Sequence, residues 1–193
     1  MTKTSAILVG RFPLTETSLV VTWCSSEHGL LKTVAKGARH PKSPFAGKLD
    51  LFHTAELDFA PSRRSDLHTL REVVVTAYRP GLQKRWLRLL AAAYFVKLIE
   101  LVAERETPIA DLHDLLTRAL DYLDRQDPDT RAVVHFEREL TRCLGMHTDT
   151  GGAAIQAIRQ LTHAVPAQRQ KLMDALKNAA LRATGDAPGG SNE

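Results

Sequence analysis

Only two cysteines, Cys24 and Cys143, occur in 193 residues, and they lie far apart. That scarcity excludes a disulfide framework and a thiolate zinc cluster, and it points to a reducing compartment. Long apolar runs are missing as well. The stretch near Leu89 to Val102 is broken by Lys97 and Glu100, so nothing reaches membrane-spanning length. Met1 to Gly10 carries one Lys and an apolar run that alternates into polar residues, unlike a signal peptide. A cytoplasmic protein with no membrane contact is expected. The chain also lacks Gly-x-x-x-x-Gly-Lys-Ser/Thr, Gly-x-Gly-x-x-Gly and Gly-x-Ser-x-Gly, so the cradles and elbows of nucleotide, dinucleotide and esterase chemistry are absent. Its eight histidines are scattered, with none paired at i and i+4 beside an acid on a helix. No catalytic residue, metal site or cofactor is assigned, and an enzyme is not expected.

The most informative deficit is of negative charge. From Lys32 to Lys48 the chain carries Lys32, Lys36, Arg39, Lys42 and Lys48 with no Asp or Glu, while Gly37, Pro41, Pro44 and Gly47 bend the backbone. Before Gly81 there are eleven Lys or Arg against seven acids, and from Gly81 onward fifteen against fifteen, so the net charge of +4 belongs to the first part. A kinked cationic segment suits a polyanion, most commonly a nucleic-acid backbone. Lys36, Arg39 and Lys42 recur every three residues, a spacing that lets one loop meet successive phosphates. Among the aromatics, Phe12, Trp23, Phe52 and Phe59 read as core. Phe45, between Pro44 and Gly47, is the expected base-stacking residue.

Periodicity divides the chain. Thr4 to Phe12, Ser18 to Ser25, Leu30 to Ala35, Leu49 to Ala60 and Leu67 to Tyr78 read as strands, the first three as a meander. One helical turn is expected near Ser43 to Gly47. Five strands in this order suit a small closed barrel of the OB type, whose face and loops bind oligonucleotides. After Pro80 and Gly81 the apolar spacing becomes helical: residues 83 to 104 read as one helix, Pro108 opens a second, and a third stops at Gly145. Ala153 to Ala164 and Pro166 to Ala183 supply two more. The expected organisation is an OB-fold domain over 1–80, a helical bundle over 81–183 and a disordered tail over 184–193.

The sequence resembles the bacterial recombination mediator family RecO. The resemblance rests on Glu16-Thr17-Ser18, Glu27-His28-Gly29, Lys36-Gly37-Ala38-Arg39 with Pro41-Lys42-Ser43 and Phe45-Ala46-Gly47, and Leu67-His68-Thr69-Leu70-Arg71-Glu72, in the family's order and near its spacing. Weaker echoes are Ala91-Ala92-Ala93-Tyr94 and Phe136-Glu137. The resemblance implies a non-enzymatic DNA repair protein that binds single- and double-stranded DNA and anneals strands. It also implies partners: RecR, the acidic C-terminal tail of single-stranded DNA-binding protein (SSB) and, indirectly, RecA. The DNA-binding residues expected are Lys32, Lys36, Arg39, Lys42, Phe45 and Lys48. An adaptor of the recombination machinery with little DNA binding is the alternative. Three departures are visible. The four-cysteine zinc element that many members carry after the third helix has no counterpart, so no structural zinc is expected. His135 stands where the family usually has Arg before Phe136. Arg131, Arg138 and Arg142 on the same helix are therefore expected, with His135, to hold a partner. Finally, the part after Gly145 is short, which suggests a reduced member of the family.

Overall fold

The computed structural model describes residues 2–148 and 150–185. Five strands form a closed barrel: β1 (Thr2–Pro13), β2 (Leu19–Ser25), β3 (Gly29–Ala35), β4 (Thr54–Ala60) and β5 (Leu67–Ala77). Their order around the barrel is β1-β2-β3-β5-β4, with β3 and β5 parallel and the other described pairs antiparallel. This is the expected OB-type barrel followed by helices. Its interior is filled by alternate residues that include Leu8, Val21, Trp23, Leu31, Leu57 and Phe59. The Trp23 indole N–H is satisfied there by the Thr33 hydroxyl at 2.9 Å.

Strand β4 begins at Thr54 rather than Leu49. Residues 51 and 52 form a turn in which Phe52 adopts φ 70°, outside the extended region a strand requires, with Leu49 buried in the barrel interior and Phe52 against the helical core. The Phe52 N–H donates to the Leu8 carbonyl at 2.8 Å, which stitches this turn to β1.

The helical part opens with a 3-10 turn over Leu82–Lys84, where the periodicity had suggested continuous helix, and Arg85 is extended before α1 (Trp86–Val102) begins. Helices α2 (Ala110–Arg125), α3 (Thr130–Cys143), α4 (Gly151–Thr162) and α5 (Gln168–Gly185) follow. Helix α5 runs two residues into the expected tail; the rest of that tail lies outside the described residues. Helix α1 is central, and Phe95 stacks on Phe136 of α3 at 4.0 Å between ring centroids. Ile7, Val9, Cys24 and Phe52 of the barrel belong to the same buried cluster as α1 and α2. Part of the outer barrel face is therefore covered by helices. Burial pushes the Cys24 thiol up to about 12, so it stays protonated and inert.

Two polar devices hold the parts together. Arg79 is buried and donates to the Phe52 carbonyl at 2.6 Å, the Thr54 hydroxyl at 2.9 Å and Asp121 of α2 at 2.8 Å. The other is Glu137, fully buried on α3. It accepts from the Tyr94 hydroxyl at 2.6 Å and from Arg169 of α5 through Nε at 2.7 Å and Nη2 at 3.1 Å. Burial and the neighbouring carboxylate push the Tyr94 hydroxyl well above its usual range. Removing the arginine strands a carboxylate in the core. Arg169→Ala is expected to cost about 2 kcal/mol in urea denaturation, below the range for fully buried pairs because Arg169 is partly open to water. An unchanged midpoint would show that α5 is not held this way.

Candidate nucleic-acid interface and partner cavity

The basic loop closes one end of the barrel. Nested turns run through it, with His40 N–H to Gly37 O at 3.1 Å, Ser43 to His40 at 3.0 Å, Ala46 to Ser43 at 3.1 Å and Lys48 to Phe45 at 3.1 Å. Gly37 and Gly47 have φ of 67° and 72°, a region open chiefly to glycine. Phe45 and Leu49 plug the barrel interior, and the plug turns the cations outward. Lys36, Arg39 and Lys42 are exposed, while Lys48 and, on β3, Lys32 are half-buried. Among the described residues none of the five has a carboxylate partner. The nearby acid, Asp50, is taken by Arg11 at 3.1 Å. Arg39 is anchored twice to the β1–β2 connection: its N–H donates to Thr17 O and its guanidinium to Thr15 O, each at 3.0 Å.

Phe45 requires correction as a stacking residue. Only 5% of it is exposed, and its ring fills the barrel end. The available ring is Phe12, 49% exposed at the end of β1. A bulge between Leu8 and Gly10 shifts the strand register, so Phe12 faces outward rather than inward with Leu8. Phe12 pairs with Val20 and Val20 with Val34; one step along, Gly10 pairs with Thr22 and Thr22 with Lys32. Residues paired across strands point the same way. Phe12, Thr22, Lys32 and Val34 thus share the outer half-face that the helices leave open, beside the basic loop. The β4–β5 connection, read in the sequence only as polar, presents Arg63 and Arg64 exposed and without ion pairs among the described residues.

A second feature lies between α2 and α3, a cavity of about 420 Å³. Phe95, Leu115, Tyr122 and Phe136 give it apolar walls, and Arg118, Arg131 and His135 stand at its polar side. Asp129 also lines it but accepts from the Ala132 N–H at 2.8 Å as the cap of α3. Arg118 pairs with Asp114 at 2.8 Å. Of the four partner residues expected on α3, the cavity gathers Arg131 and His135. Arg138 and Arg142 line a separate, smaller hollow of about 130 Å³ with Met146, His147 and Thr148. Arg118 and Tyr122 escaped the sequence reading because they belong to another helix.

The family model described as Recombination protein O N terminal matches residues 1–79, and the one described as Recombination protein O C terminal matches residues 83–151. The chain belongs to the RecO family. The DNA repair protein RecO of Rhodopirellula baltica is 29% identical over 140 residues, covering 72% of this chain and 52% of that protein. That of a Cyanothece species is 34% identical over 141 residues, covering 69% and 47%. That of Gloeothece citriformis is 31% identical over 142 residues, covering 74% and 50%. The chain spans about half the length of these RecO relatives. Helix α5 lies beyond the residues the family models match. Among the described residues no helix is long and apolar enough to cross a membrane, and no three His, Cys, Asp or Glu are gathered as metal ligands.

Proposed function

We propose that this RecO-family chain is a mediator of recombination repair that grips the backbone of single- and double-stranded DNA at the barrel end. The observation that carries this reading is the outward set of Lys36, Arg39 and Lys42, free of carboxylates and contiguous with the half-face bearing Phe12 and Lys32. Cations on a rigid plug meet phosphates without reorganising, and neutralising two strands lowers the repulsion that opposes their annealing. Nothing in this scheme needs a covalent step. RecR, and RecA through it, are the expected partners on the same pathway, and residues 1–80 and 81–183 are the proposed functional units.

Stacking by Phe12 gives the reading a test specific to single strands. Phe12→Ala is expected to lower affinity for a fluorescent oligothymidine about fivefold or more, and to leave duplex binding and the unfolding midpoint unchanged. Equal weakening of duplex and single strand, or none of either, would remove Phe12 from the site.

The adaptor reading is favoured by one feature of its own, the α2–α3 cavity. Apolar walls beside Arg131 and Arg118 suit a chain terminus that offers a large apolar side chain next to a carboxylate, which makes this the proposed seat of the acidic SSB tail. His135 is at the cavity in the position of the family arginine, and Arg131 is the cation proposed to replace it.

A further inference from the structure

We infer that the outer face of β1, β4 and β5 is a docking surface for a second copy of this chain, entered by that copy's basic loop. Ala55, Leu57 and Phe59 of β4 point into the barrel, so Glu56 and Asp58 between them point out. Glu56 pairs across strands with Val74, and Asp58 with Glu72 on β5 and Lys3 on β1, which puts each set on this outer face. Glu56 and Glu72 are exposed, and none of the three acids has an ion pair among the described residues. Asp58 carries the argument. Only 8% of it is exposed and its Oδ1 has no hydrogen-bond partner, although Lys3 stands opposite on the neighbouring strand. A carboxylate held out of water without a donor is costly, and a cation delivered from outside offsets that cost.

The chain itself carries the complementary surface. Lys36, Arg39 and Lys42 lie on the loop without carboxylate partners among the described residues, interleaved with exposed Pro41, Pro44 and Ala46. The acidic face likewise sets exposed Val74 beside its carboxylates. Cations of one copy meet acids of the other while the apolar atoms of the loop cover Val74, a combination that gives both attraction and register. Loop and face are different surfaces of one barrel. The contact is therefore head-to-tail, with a free loop at one end and a free face at the other, and further copies can add. It also hides the loop, so self-association and nucleic-acid binding compete for the same cations. That competition alone rests on the proposed grip on nucleic acid.

Sedimentation of the full chain at about 0.01 M salt, where charges act over about 30 Å, is expected to show an average mass that rises with concentration. At about 1 M salt, where they act over about 3 Å, a monomer is expected. Glu56→Gln with Glu72→Gln, and separately Lys36→Ala with Arg39→Ala and Lys42→Ala, should each weaken association about tenfold or more. Mixing these two variants isolates the contact. One retains the loop and the other the face, so the mixture should form a dimer and nothing larger. Asp58→Asn is expected to raise the urea midpoint and weaken association together; a raised midpoint with undiminished association would make the carboxylate merely structural and overturn the inference. A chain that is monomeric at low salt, or a mixture no heavier than its components while the unaltered chain associates, would overturn it too. A monomeric chain whose acidic face binds a labelled oligoarginine peptide would assign that face to a basic partner of another sequence, against a second copy. Oligothymidine is expected to dissolve the assemblies. Assemblies of a chain that binds no oligothymidine would sink the nucleic-acid reading and leave this contact standing.

Discussion

Replacing Lys36, Arg39 and Lys42 together by Ala is expected to weaken binding of single-stranded DNA about 50-fold at about 0.15 M salt. The figure follows from counterion release. Each neutralised phosphate contributes about 0.7 to the slope of log affinity against log salt on a single strand, and about 0.15 M lies roughly 0.8 decade below 1 M. Three contacts therefore amount to about 1.7 decades. Stability should hardly change, because the three side chains are exposed and have no carboxylate partner among the described residues, while Phe45 and Leu49 keep the loop seated. Arg39 is the exception to watch: its guanidinium also donates to Thr15 O. A separate Arg39→Ala variant measures that contribution, with about one third of the logarithmic loss expected. A triple variant that binds as tightly as the parent would refute the loop as a phosphate contact.

The second large effect concerns the join between barrel and helices. A Cβ added at Gly81 would stand 1.9 Å from the Asp124 carbonyl oxygen and 2.8 Å from its Oδ1. The Gly81 N–H already donates to that carboxylate at 2.6 Å, and Arg88 donates to the Asp124 carbonyl at 2.7 Å. The backbone of α2 can neither retreat nor rotate without breaking these bonds and the Arg79–Asp121 pair. Gly81→Ala is expected to cost roughly 4 kcal/mol, in the exceptional range for one methyl group, or to leave no folded protein. Gly152 is the control. A Cβ there meets nothing within 4 Å, and the position lies inside α4, so Gly152→Ala should be neutral or stabilise by about 0.5 to 1 kcal/mol. Equal midpoints for the two variants in urea would show that the linker is not packed as described.

What was legible in the sequence was local. The strands announced themselves by alternation between turn residues, the helices by their apolar stripes, and the cationic loop by an uninterrupted run without acid. Residues whose roles depend on distant partners were not legible. Arg79 and Asp121 are separated by 42 positions and Glu137 and Arg169 by 32, and no local pattern joins them. Phe45 and Phe12 show the same limit within the candidate site. Flanked by proline and glycine, Phe45 reads as exposed, yet a loop that caps a barrel needs an apolar anchor. Phe12 reads as interior by alternation from Leu8, until the bulge reverses the faces. Register across strands decided the case of Phe12, and the open barrel end that of Phe45.

The central claim is that cations on this plugged barrel end hold a nucleic-acid backbone by charge. It is tested most directly by titrating a fluorescent oligothymidine with the unaltered chain at several salt concentrations. The account predicts a linear fall of log affinity with log salt, with a slope of about −2 or steeper. A flat dependence, or no binding at low salt by a folded chain, would contradict it.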